Sequence, residues 1–205
     1  MCIARFRKAA ALREGPGRVA AIAAWVQSLF SDKESRPVLV GGAAVELYTG
    51  GAYRTGDLDF VGTPGPEVVN LLESAGFQRL GRHWVNEQHK VFLEFPGEAL
   101  GELESTAVIR VGAHSVLIVS LEDLIVDRLA AWRFWKSDID AINAYLLARA
   151  QGVELDEVRL RRLAENADVE RALDQLDGFL ARHEDTEPNQ SELEEWSRSA
   201  LEGGR

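Results

Sequence analysis

The chain has 205 residues, 46% of them hydrophobic, and 33 acids against 23 bases give it a net charge of −10. That length and apolar content predict a buried core in one domain, or in one domain with a small appendage. The acidic balance argues against a general nucleic-acid-binding surface, which needs a basic footprint, and apolar stretches are broken by charge too early to cross a membrane.

The N-terminus is basic but lacks the long apolar segment of a signal peptide. Its Cys2 is the one cysteine, which excludes an internal disulfide or a cysteine-rich metal site and makes a reducing, cytoplasmic location the default. Residues 3 to 14 begin a helix that Gly15-Pro16-Gly17 breaks. Val19 to Phe30 has apolar residues at helical spacing and reads as an amphipathic helix; Ser31 to Arg36 is a polar loop. Val38-Leu39-Val40 reads as a buried strand, interrupted by Gly41-Gly42, after which Ala43 to Tyr48 starts a helix. A second glycine turn, Gly50-Gly51, leads to the strand Asp57 to Val61. Pro66 fits the first turn of a helix running to Ala75, with Gly76 as its stop. Phe77 to Leu80 and Trp84-Val85 are short strands, and Lys90 to Phe95 is a firmer one. Val108 to Val111 and Ser115 to Val119 form a hairpin around Gly112-Ala113-His114.

Strands interleaved with helices predict an α/β (α+β) fold, a small mixed sheet with helices mainly on one side. From Ser120 onward only helices are expected. Ser120 with Asp123 caps one through Trp135, and others follow at 138–150, 155–166 and 169–181, forming a C-terminal helical bundle. The division expected is an α/β core over 1–119, a helical region over 120–182 and an acidic, mobile tail over 183–205 with one helical turn near Leu193 to Leu201. Trp132, Phe134 and Trp135 are read as packing groups. His83, His89, His114 and His183 are read as structural or exposed.

The chemistry concentrates between residues 38 and 61. Asp57 and Asp59 stand two apart on a strand, so both point to one face while Leu58 and Phe60 enter the core. Two carboxylates about 6–7 Å apart repel by roughly 2–3 kcal/mol at an effective dielectric near 20, and Asp is depleted in strands. A shared hard cation such as Mg²⁺ or Mn²⁺ removes that repulsion. Upstream, a strand ending in Gly41-Gly42 at a helix start lets phosphate oxygens approach backbone N–H groups at the positive end of the helix dipole. Together the two features describe a site for a nucleoside triphosphate. The rival reading is a solvated strand end beside an ordinary turn.

This stretch resembles the signature of the nucleotidyltransferase (polymerase-β-like) superfamily: a hydrophobic strand, Gly-Gly, a short helix, then Asp-x-Asp on the next strand. The form GGAAVELYTGGAYRTGDLDF is most similar to the bacterial AbiEii-type and related uncharacterised branches. The resemblance covers about residues 36 to 150. It implies a Mg²⁺-dependent transfer of a nucleoside monophosphate from a nucleoside triphosphate to a hydroxyl acceptor, with Asp57 and Asp59 as metal ligands. Glu94, in the apolar strand VFLEF, stands where the superfamily places its third acid; otherwise it is the polar face of an edge strand. Arg54 is placed to neutralise phosphate charge and Thr55 to donate a hydrogen bond beside it. The segment LEDLIVDRLAAWRFWKSDID is also similar to that branch, implying phosphate contact by Arg128, where lysine is usual, and a nucleotide-site role for Asp138, which serves equally as a helix N-cap. The resemblance further implies the toxin of a toxin–antitoxin pair, acting on RNA or protein, with an antitoxin protein as partner. Transfer to a small molecule such as an aminoglycoside is the alternative within the class. A catalytically silent module that binds a nucleotide or a protein is the alternative outside it.

Overall fold

The computed structural model describes residues 2–150, 152 and 154–199, which fall into two compact units, Met1–Ser120 and Leu121–Arg205. In the first, the elements run α1 (Cys2–Ala10), α2 (Pro16–Gln27), β1 (Val38–Val40), α3 (Gly41–Tyr48), β2 (Leu58–Val61), α4 (Pro66–Ser74), β3 (Gln78–Leu80), β4 (His83–Asn86), β5 (Val91–Gly97), β6 (Thr106–Val111) and β7 (His114–Val119). Helix α2 starts three residues before the expected Val19. Pro16 opens it, because the proline ring suits the first helical turn and its missing N–H has no helical partner to lose.

Seven strands form one mixed sheet in the order β3-β4-β5-β2-β1-β7-β6. Strand β2 runs antiparallel to β1 and parallel to β5, while β1 runs parallel to β7. Leu39 lies beside both Phe60 and Ile118, and Leu58 beside Leu93; all five side chains are buried on one face. The other face, carrying Val40, Asp59 and Val61, is only half-buried. Alternation along β2 therefore separates core from site, as the pleat requires. Gln27, buried on α2, ties the helix to the sheet. Its amide donates to the carbonyl oxygens of Pro37 at 3.0 Å and Leu117 at 2.6 Å, and accepts from the Leu117 N–H at 3.0 Å. Phe6, Trp25 and Phe77 close the far end of this core, with ring centroids 4.6 to 5.9 Å apart.

In the second unit the elements are α5 (Leu121–Trp135), α6 (Asp138–Ala148), α7 (Glu157–Asn166), α8 (Glu170–Arg182) and α9 (Gln190–Ser199). Trp132 is its central packing group. It is fully buried, lies 5.0 Å from the Trp196 ring, and donates its indole N–H to the Ser197 carbonyl at 2.8 Å. Phe134 and Trp135 do not pack as expected; Trp135 is 82% exposed. Helix α9 replaces the expected tail with one turn. Its acids face water while Trp196 and Ser197 are buried, so composition alone hid an amphipathic helix. Residues 200–205 of the expected tail lie outside the described residues. The acids of the LED stretch are structural. Glu122 accepts the Asp156 N–H at 2.9 Å and Asp123 pairs with Arg159 at 2.8 Å, fastening the start of α7 to α5.

Candidate functional site

Gly41 is the first residue of α3 and adopts φ +63°, a left-handed conformation that glycine enters without steric cost. A Cβ built there would stand 2.6 Å from Oδ2 of Asp59. The register explains the closeness: Val40, the last residue of β1, is paired with Asp59 on β2. Gly42 is in the same position with respect to the loop before β2, where a Cβ would come 2.8 Å from the Thr55 hydroxyl oxygen. Gly41 is favoured by its left-handed backbone, and both glycines leave room for a side-chain oxygen. The residue capping α3 is Val40, whose side chain carries no hydrogen-bond acceptor, so the first N–H groups of the helix gain no side-chain cap from it.

Thr55 links the pieces. Its hydroxyl donates to Oδ1 of Asp57 at 2.9 Å, and its backbone N–H donates to Oε2 of Glu46 at 3.1 Å. Glu46 is 2% exposed and sits one turn into α3. Sequence reasoning missed it, because a single glutamate in a helix reads as a solvated face; its only signal was its place between Val45 and Leu47. Asp57 lies just before β2 and is exposed, whereas Asp59 is half-buried within it. Arg54 is exposed.

Glu94 lies on β5 directly beside Asp59 in the parallel register, so the two side chains share a face. It is 8% exposed on the same side of the strand as the exposed Phe92. Its partners are Arg82, in the turn before β4, and His83, the first residue of that strand. Oε1 of Glu94 is 2.6 Å from Nε of Arg82, and Oε2 is 3.1 Å from Nδ1 of His83. His83 is paired with Glu94 across β4 and β5, so the only sequence signal was a register that becomes visible once the strands are placed.

As donors for a divalent cation, Asp57 and Asp59 fit in kind, as hard carboxylate oxygens, with Asp59 within β2 and seated against the Gly41 turn and Asp57 just before the strand. Both Glu94 oxygens are engaged, one by Arg82 and the other by His83. Among the described residues no group of three or more His, Cys, Asp or Glu is arranged to hold a metal ion. No family model, curated protein or solved structure matches this chain.

Arg128 and Asp138 belong to the second unit. Arg128 pairs with Asp140 at 2.6 Å and with its neighbour Asp127. Burial works against the Arg128 charge, but those two carboxylates outweigh it and hold the guanidinium above its ordinary pKa. Asp138 is the first residue of α6; the cap position is taken by Ser137, so Asp138 is not the N-cap. Its carboxylate pairs with Arg198 at 3.3 Å.

Proposed function

We propose that the chain is a metal-dependent nucleotidyltransferase, moving a nucleoside monophosphate from a nucleoside triphosphate to a hydroxyl acceptor. The corresponding fold reading is a nucleotidyltransferase-like first unit followed by α5 to α9 as a C-terminal helical bundle. The observation that carries the proposal is the seating of Asp59 against Gly41, which brings a candidate cation ligand to the anion-attracting end of α3. Gly41 and Gly42 would present backbone N–H groups to the triphosphate. Asp57 and Asp59 would hold the cation, with Thr55 orienting Asp57 through its hydroxyl. A bound Mg²⁺ or Mn²⁺ supplies charge neutralisation and lowers the pKa of the attacking oxygen. Arg54, exposed beside Thr55, adds positive charge for the leaving pyrophosphate. In the transfer, the acceptor oxygen bonds to the α-phosphorus as the bond from that phosphorus to pyrophosphate breaks.

Glu94 is the proposed third acid. To serve, it must leave Arg82 and His83, whose side chains are 69% and 49% exposed. Arg128 and Asp138 would contact the nucleotide only after giving up their present carboxylate and arginine partners. A role as a toxin acting on RNA or protein, paired with an antitoxin, rests on the resemblance of residues 36 to 150. The ion pairs of Glu94 favour a second reading, a catalytically silent module that binds nucleotide without transfer.

The test is the full chain with Mn²⁺ and each nucleoside triphosphate, followed by melting and by label transfer into cell extract. A ligand that binds only the native state raises the melting temperature, so the wild type should shift while Asp57→Asn and Asp59→Asn should not. Transfer abolished by Glu94→Gln supports the enzyme; a shift without transfer supports the silent module. A melting temperature that ignores both metal and triphosphate removes both readings.

A further inference from the structure

We propose that the first unit carries a separate binding site for a small organic anion bearing a flat apolar group, in a cavity of about 310 Å³ at the ends of β2 and β5. Neither Asp59 nor Glu94 lines the cavity. Trp84 is paired with Leu93, so it shares a face with Leu93 and Phe95, both of which alternate with Glu94 along β5.

The lining divides into an apolar wall and a cationic rim. Phe95 and Pro96 form a stiff wall, and Phe95 is backed by the Phe60 ring at 5.7 Å. Arg79 and Arg82 form the rim. The Arg79 guanidinium lies 5.7 Å from the centre of the Trp84 ring, and its Nε donates to the Gly81 carbonyl at 3.1 Å. Arg79 is exposed, and among the described residues it pairs with no carboxylate. Arg82 is anchored differently: its Nε is bound to Glu94 at 2.6 Å. A guanidinium has four further N–H donors on its two terminal nitrogens, and those are the groups left to meet a ligand. The exposed Glu98 is the one acid in the lining. Two arginines over an apolar floor run against the chain's charge of −10. Guanidinium forks match carboxylate and phosphate oxygens, while the wall between Phe95 and Pro96 accepts a ring face.

Phenyl phosphate is the probe, titrated into the full chain without metal or nucleoside triphosphate and followed by calorimetry. Saturable one-site binding is expected. Arg79→Gln and Arg82→Gln should each weaken it about tenfold or more, the size of a lost charge-assisted hydrogen bond, while Arg110→Gln on β6 should leave it unchanged. Inorganic phosphate, which leaves the apolar wall uncovered, should bind about tenfold or more weakly than phenyl phosphate. Equal melting temperatures would show that the variants fold. No saturable binding, equal affinity in both arginine variants and the wild type, or phosphate binding as tightly as phenyl phosphate would each overturn the proposal. Because neither metal nor triphosphate is present, this site and nucleotide transfer stand or fall separately.

Discussion

Gly41 is where the candidate site is most sensitive to a single atom. A side chain there meets two penalties, a left-handed backbone and the Asp59 carboxylate. Gly41→Ala should lower the unfolding free energy in urea by about 2 kcal/mol or more. In an Asp59→Ala background the contact is gone, and the loss should fall to the left-handed cost alone, about 1–2 kcal/mol. Equal losses in the two backgrounds would mean that the carboxylate does not crowd the glycine. Gly41, Gly42 and Asp59 stood out in the sequence because each is unusual for its local structure, glycines opening a helix and an acid in a strand, while Asp57, expected in that strand, lies just before it. Glu46, Arg82 and His83 were not. A buried glutamate on a helix and the two side chains that meet Glu94 depend on tertiary register, which no local pattern encodes.

Helix α3 positions the loop before β2 as well as opening the glycine turn. Glu46 is the means, since its buried carboxylate receives the Thr55 N–H, and Thr55 in turn holds Asp57. Glu46→Ala should cost about 1–3 kcal/mol by leaving that N–H without its acceptor, whereas Glu46→Gln, which keeps an oxygen acceptor, should cost distinctly less. Similar losses for both variants would assign the effect to packing. In the second unit, α7 and α8 offer a pH test. Burial raises the Asp177 pKa above the ordinary carboxylate value, more than the nearby Arg161 lowers it. The folded state therefore binds more protons than the unfolded state just above that ordinary value. Stability from this group is full below that range and is lost as pH rises through the raised pKa. Asp177→Asn should flatten this part of the stability–pH curve; an unchanged slope would show that Asp177 does not contribute. The helices and strands were largely legible, because a period of two survives in β2 and one of 3.6 in α8, whereas α2, expected to be amphipathic, is buried on nearly every side. Element ends were less so. Helix α2 begins at the proline read as a breaker, and α9 was concealed by its own charge.

At the scale of the whole molecule, a single seven-stranded mixed sheet organises the first unit, and five helices make up the described part of the second. The excess negative charge collects toward the end of the chain: residues 183 to 205 hold seven acids against Arg198 and Arg205. That leaves the cations of the first unit, among them Arg79 and Arg82, as local exceptions that a binding surface can use. The order of strands also has a consequence in time. Strand β1 precedes the other six strands, and its parallel partner β7 follows roughly eighty residues later; such distant pairings slow folding. Until β7 emerges from the ribosome, β1 is an exposed sheet edge carrying Leu39, a residue buried in the finished unit. A nascent chain stopped short of Val119 therefore presents an adhesive strand next to the glycine turn, and the last hairpin of the unit, β6–β7, is the piece that protects it from aggregation.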